Sequence, residues 1–310
     1  MKKLLAVLLM SVGIAHATET ITIVSPYNAA YSGQTAMLEV LNKANQAQSR
    51  YNFIIDNHPG AQGLLALNHA QSNPNNRVAV IAAGAVELFD TGRAQFRDWV
   101  PVHGVGDACW AVVTNWPADE RQGLKSMRAP TDAKELVIGA VGLGSVSHLT
   151  GLEMAEYTKQ RPLTMLFKSG TEAFISLASE QGVNITIDSV QTIENMKSKN
   201  PRIKMVATIC SQRNPMAPHV PTLAEQGLKD IPPVFNIVVA PSQMPKSKSQ
   251  DIGNILDQAT LEVGADRIFN LAGFRPAVIQ KMSAQEFFDR RVGQILALRK
   301  KYAKELAAAK

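Results

Sequence analysis

The sequence predicts an α/β fold in two lobes, with two extended strands crossing between them. Three observations carry that prediction. Short apolar, β-branched runs alternate with stretches of helical period, and they do so in two separate series. Within each series the strands lack the polar alternation of a half-exposed sheet, which argues for parallel strands covered on both faces. Two further apolar strands lie between and after the series, at residues 109–114 and 235–240, so the chain passes from lobe 1 to lobe 2 and back.

The elements follow in order. Residues 21–24 (ITIV) read as the first strand. Residues 34–46 then have helical spacing, with Met37, Val40 and Leu41 at i, i+3 and i+4. A strand at 53–55, a helix at 63–71 and a strand at 78–81 complete the first series. The second series runs through a strand at 136–141, a helix at 147–159, a strand at 165–167 and a helix at 171–180. It ends with a strand at 185–187, a helical run from 189 to 199 and a strand at 205–209. A loop rich in turn formers occupies 211–221, and the tail is helical at 246–263, 265–271 and 284–309. The implied division gives residues 18–108 and 236–310 to lobe 1 and residues 109–235 to lobe 2.

The amino terminus has a different character. Met1-Lys2-Lys3 is a basic start, residues 4–14 are apolar, and Ala15-His16-Ala17 has the A-x-A form of a signal-peptidase site. The run is shorter than the roughly 20 apolar residues of a membrane-spanning helix. No Cys follows the cut to carry a lipid. The expectation is an exported, periplasmic protein whose mature chain begins at Thr18 and has about 290 residues, enough for one large or two medium domains. Loss of Lys2 and Lys3 lowers the formal charge from +6 to +4. The basic residues are scattered apart from Arg299-Lys300-Lys301, with no basic stripe interleaved with aromatics, which excludes nucleic acid as a partner. A mild positive balance favours anionic small molecules. The two cysteines, Cys109 and Cys210, read either as one disulfide or as two buried thiols, because the sequence does not say whether their strands are neighbours.

In open α/β sheets ligands sit beyond the carboxyl ends of the strands, and two such ends facing one another make a cleft. A hinge that closes a cleft around a solute is the working principle of a two-lobed periplasmic binding protein fold, the fold class expected here. The sharpest local feature is Gly139-Ala140-Val141-Gly142-Leu143-Gly144-Ser145-Val146-Ser147-His148, which follows a strand and opens a helix. Gly142 and Gly144 permit close backbone approach, and free N–H groups at a helix start bind anions. A dinucleotide fingerprint is not met: Ser147 stands at the third glycine position, and Phe167-Lys168-Ser169 stands where an acidic residue belongs. Ser145 and His148 lie close enough in sequence for a nucleophile and base, but there is no G-x-S-x-G elbow and no acid placed to orient the His. No H-x-x-x-H or C-x-x-C pair occurs, so no metal site is expected. Asp188 ends a lobe 2 strand, either facing the cleft or capping the helix that follows. The loop at residues 25–33 offers Tyr27, Asn28, Tyr31 and Ser32 as ligand contacts, with Ser32 capping the next helix as the other reading.

Residues 56–63 (DNHPGAQG) resemble the E-N-R-P-G-A-G-G run of the Bug family, the solute receptors of tripartite tricarboxylate transporters. Further along, Gly142-Leu143-Gly144-Ser145 through His148-Leu149 is similar to the family's G-x-G-S-x-x-H-L. Phe167-Lys168-Ser169-Gly170 looks like its Y-K-G segment, which adds Ser169 to the ligand contacts. Arg213 followed by residues 218–227 (PHVPTLAEQG) is similar to R…P-x-V-P-T-x-x-E-x-G. The resemblance implies two lobes on a hinge, with main-chain N–H groups of residues 27–33 and 142–148 holding a small carboxylate. The first loop departs from the family: PYNAAYSGQ places Tyr31 where a Gly and Gln34 where an Asp is usual.

The expected function is therefore capture of a small organic carboxylate without chemistry, for delivery to a membrane permease of the tripartite type. The chain is expected to act as a monomer and without a cofactor. Two other readings are a ligand sensor signalling to a membrane partner and an exported serine hydrolase built on Ser145 and His148.

Overall fold

The computed structural model describes residues 18–308, apart from residues 30, 31, 132, 180, 181 and 199 and the side chain of Ser32. The expected leader, Tyr31 and the capping role of Ser32 lie outside the described residues.

The chain opens as β1 (Glu19–Ser25), α1 (Ser32–Ala47), β2 (Tyr51–Asn57), α2 (Leu64–Gln71), β3 (Arg77–Ala82), α3 (Val86–Asp90) and β4 (Trp99–Ala108). It continues through β5 (Trp110–Thr114), β6 (Glu135–Ala140), α4 (Val146–Thr158), β7 (Arg161–Leu166), α5 (Gly170–Ala178), β8 (Ile185–Ser189), α6 (Val190–Lys197) and β9 (Lys204–Ile209). It returns as β10 (Val234–Pro241), α7 (Lys246–Val263), α8 (Ala265–Ala272), β11 (Phe274–Arg275), α9 (Ala284–Lys301) and α10 (Ala303–Ala308). The strands form two sheets, in the order β11-β4-β10-β3-β1-β2 and β7-β6-β8-β5-β9.

Each sheet has a parallel part built by β-α-β units and an antiparallel part supplied by the crossing strands. β1 pairs in parallel with β2 and β3, and β6 with β7 and β8. β10 runs antiparallel between β3 and β4, and β5 antiparallel between β8 and β9. β10 is buried along its whole length, as a central strand covered on both faces must be. Phe235 of β10 meets Phe287 of α9 edge to face at 6.1 Å, fixing that helix to the sheet.

β4 was not foreseen as a strand, because Pro101, Gly104, Gly106 and Asp107 break its apolar pattern. Two of these have specific work. Gly106 has φ +129°, and a Cβ there would run into the carbonyl of Arg275, so only glycine lets β11 lie against β4. The buried Asp107 accepts from Nε of buried Arg291 at 2.7 Å and from a second guanidinium nitrogen. Burial pushes the Asp107 carboxyl up, and its bonds to Arg291 pull against that shift. The expected continuous helix over 284–309 is divided at Tyr302, whose side chain is buried and whose hydroxyl reaches Glu156 of α4 at 2.8 Å.

The two cysteines form a disulfide, with Cα atoms 4.8 Å apart. The register explains it: Trp110 lies opposite Ile209, so the next residues outward, Cys109 and Cys210, also face each other. The bond sits where β4 passes into β5 and where β9 leaves its sheet. It closes a loop of sequence separation 101, for which the chain-entropy model gives about 4–5 kcal/mol of stabilisation. Thiol titration of the denatured, unreduced protein is expected to find no free thiol. The double variant Cys109→Ser, Cys210→Ser is expected to lose about 3–5 kcal/mol of unfolding free energy in urea titration; an unchanged midpoint would contradict a folded-state bridge.

Candidate functional site

The strand directions place the site. β3 ends at Ala82, paired with Asn236 near the start of β10, and β8 ends at Ser189, paired with Trp110 at the start of β5. The carboxyl ends of the parallel strands of both sheets therefore point toward the crossing segments, and the loops that follow them border one cleft.

On the lobe 1 side, a network of amides holds the loop after β1. Tyr27 donates its hydroxyl to Asn236 Oδ1 at 2.7 Å, and Asn57 Nδ2 donates to the Tyr27 carbonyl at 2.8 Å and to Gln34 Oε1 at 2.6 Å. Ser25 Oγ accepts from Tyr27 N–H at 3.3 Å. Ser25, Tyr27, Gly33, Gln34 and Asn236 help line a hollow with about 20 Å³ of room for water, the space of roughly one molecule. Asn28 is exposed on the same loop. Asn236 and Asn57 were not singled out from sequence, because they join the loop only through the register of β10 and β2.

On the lobe 2 side, Gly142 and Gly144 adopt φ +89° and +69°, and the turn they make feeds α4. Ser145 caps that helix, its Oγ accepting from His148 N–H at 3.3 Å. Gly144 N–H donates to His148 Nδ1 at 2.9 Å, and Val141 N–H to Ser147 Oγ at 3.2 Å. Since Nδ1 accepts, the imidazole carries its proton on Nε2, which donates to Thr164 Oγ1 at 2.9 Å. Burial, with Arg299 nearby, lowers the His148 pKa to about 4. Both imidazole nitrogens are thus engaged away from Ser145 Oγ, which binds a backbone N–H and Ser147 Oγ instead. The nucleophile-and-base arrangement of the hydrolase reading is not formed. Among the described residues, the N–H groups of Gly142 and Leu143 have no acceptor.

Ser169 caps α5 by accepting from Glu172 N–H at 3.2 Å. Asp188 does not cap α6; Ser189 does, accepting from Thr192 N–H. The Asp188 carboxylate accepts from Ser189 N–H at 2.6 Å and lies so close to Gly170 that a side chain there would collide with it. Its charge therefore sits at the start of α5, and burial raises its pKa against the Ser189 bond.

The lobes touch through the C-terminal helices, for which the dense charge at 299–301 is the one signal in the sequence. Arg299 of α9 donates Nε to Asp90 Oδ2 of α3 at 2.7 Å and Nη1 to the Gly144 carbonyl at 3.1 Å. Lys301 binds Glu153 at 2.7 Å and Glu156 at 2.8 Å, both on α4. Gln62, in the loop after β2, lies opposite Gly142, where a Cβ would stand 3.2 Å from its amide nitrogen.

Two α/β lobes on crossing strands, with the helix start of α4 turned into the cleft between them, define the fold of a periplasmic binding protein. The profile of the tripartite tricarboxylate transporter family receptor, TctC, matches residues 39–287, and the chain belongs to that family. The resemblance drawn from the motifs therefore stands. The chain is similar to the UPF0065 protein in the tcbD-tcbE intergenic region of Pseudomonas sp. (strain P51), 25% identical over 72% of this chain and 69% of that one. It shares its fold with an R. palustris protein solved with adipate, at TM-score 0.71 and 19% identity over 94% of this chain and 98% of the other. MatC from Rhodopseudomonas palustris, solved with bound malate, matches at TM-score 0.66 and 18% identity over 91% and 98%.

Two outcomes are expected from this geometry. His148 is neutral in the fold down to about pH 4 but protonates near pH 6.5 when unfolded, so the unfolded chain binds more protons between these values. Stability is then full above about pH 6.5 and falls by on the order of 3 kcal/mol as pH drops toward 4. Urea titrations across that window should show this slope, and His148→Gln should flatten it. Arg299→Ala removes a charged donor from Asp90 and from the Gly144 carbonyl and is expected to cost about 1–3 kcal/mol. In small-angle scattering the ligand-free variant should have a larger radius of gyration than the parent.

Proposed function

We propose that this chain is an exported, periplasmic receptor that captures a small organic carboxylate between its lobes and presents it to a membrane permease of the tripartite type. One lobe comprises residues 18–108 and 236–310, the other residues 109–235, and the receptor acts as a monomer without a cofactor. The observation that carries this reading is the pair of N–H groups at Gly142 and Leu143, without an acceptor among the described residues, on the turn that starts α4. Such a turn is a natural anion site, where amide dipoles and the helix start act together. Tyr27, Asn28, Tyr31 and Ser32 are the ligand contacts assigned to lobe 1, and Ser169 and Asp188 those assigned to the far end of the ligand. The bound adipate and malate of the two R. palustris proteins support a dicarboxylate as the first class to try.

The test is a thermal-shift and calorimetric screen of malate, succinate, adipate and aromatic acids on protein stripped of ligand by unfolding and refolding. A cognate ligand at a hundredfold excess over Kd adds about 2.7 kcal/mol of stability. Gly144→Val is expected to abolish binding, because its φ disfavours a side chain and a Cβ would meet Arg299. Ser145→Ala should lower stability by about 1 kcal/mol through the lost cap while leaving the site in place. Tyr31→Gly should widen the range of acids bound. Failure of every carboxylate to bind the parent protein would overturn the proposal, and loss of every ligand in Tyr31→Gly would make Tyr31 a principal contact rather than a wall.

A further inference from the structure

β2 carries Asp56 next to its last residue, and the chain leaves the sheet through His58, turns at residues 59–63 and returns along α2, which carries His69 in its last turn. Asp56 and His58, two residues apart on an extended segment, project to the same face. α2 lays His69 over them. The two imidazoles stack with centroids 3.8 Å apart and a 22° tilt. His58 Nε2 lies 2.9 Å from Asp56 Oδ2, and His69 Nε2 lies 3.2 Å from the same oxygen. Only the first of these is a hydrogen bond. His69 Nε2 is shut off from solvent yet has no hydrogen-bond partner among the described residues, an arrangement that is costly for a buried polar atom.

We propose that Asp56, His58 and His69 form a site for a divalent transition-metal ion of the zinc class at the edge strand of lobe 1. The three ligand atoms all lie within 4.8 Å of one another, the one such group among the described residues. Tetrahedral zinc, with bonds of about 2.0–2.2 Å to N and O, spaces its ligand atoms about 3.3–3.5 Å apart, so small ring rotations suffice to admit the ion. Two imidazoles and a carboxylate suit zinc, copper and nickel and disfavour calcium and magnesium, which prefer all-oxygen shells. The metal would give the orphaned His69 nitrogen a partner. Asp56 is 45% exposed, which leaves a side open for water as a further ligand. None of the three ligands belongs to the Gly142 turn, and the site does not depend on carboxylate capture.

The experiment uses the untagged mature protein, freed of metal by chelation, titrated calorimetrically with Zn2+ in a non-coordinating buffer. One ion per chain is expected. Outer partners of metal ligands already change affinity by about 10–100-fold, so His58→Ala and His69→Ala should each weaken binding by at least about tenfold. His219→Ala, which removes the half-buried histidine paired with Glu120, should not change it. Histidine 15N resonances of the parent protein give a readout free of any folding defect: Zn2+ should shift those of His58 and His69. No Zn2+ uptake, uptake unaltered in both folded alanine variants, or shifts confined to other histidines would each overturn the assignment.

Discussion

Cys109 and Cys210 face each other at the place where both sheets surrender their strands to the crossing segments, and the geometry of either lobe is referred to that point. On one side of it stands the buried pair of Asp107 and Arg291, which ties β4 to α9. On the other stand Ala111 and Val113, packed in the core of the second sheet. An ion pair shielded from water is costly to form but strongly resists losing one partner, so its neighbourhood has few alternative arrangements. The pivot is thus rigid in itself. Relative motion of the lobes must come from small backbone changes in the segments leading away from it, as hinge closure generally does.

The parallel cores were legible because their strands are largely apolar runs: residues 21–24, 78–81 and 136–140 have few other ways to bury their side chains. β4 was not, since its glycines, proline and aspartate serve β11 and Arg291, partners that are remote in sequence. Tyr302 reads as helix by propensity, yet its hydroxyl is drawn to α4 and the helix divides there. In the site, the turn at Gly142 to Ser145 was visible because glycines and a helix start make a local pattern. Asn236, Gln62 and Arg299 were invisible, because each reaches the cleft only through tertiary placement. The same holds for Asp56, His58 and His69, which no spacing rule groups.

His148 shows how a buried polar residue can shape a turn through its own hydrogen bonds. Its Nδ1 consumes the Gly144 N–H and its Nε2 is held by Thr164, so the turn keeps one amide for itself and, among the described residues, leaves those of Gly142 and Leu143 without an acceptor. A buried neutral imidazole serves this purpose better than a charged one, because an imidazolium has no acceptor to offer Gly144.

Part of the seam between the lobes is an exposed ion pair, beside the buried Arg299 and Tyr302. Lys301 is 44% exposed and Glu156 60% exposed, so water and mobile ions reach most of that contact. Exposed pairs of this kind are worth little each and weaken as ionic strength rises, with a screening length of about 8 Å at physiological salt. A receptor whose binding-competent state is only partly populated has its apparent affinity reduced by that fraction. The salinity of the surrounding medium thereby acts on the resting shape of the cleft, and a cell moving between dilute and salty water would retune this receptor's sensitivity with no change in its pocket.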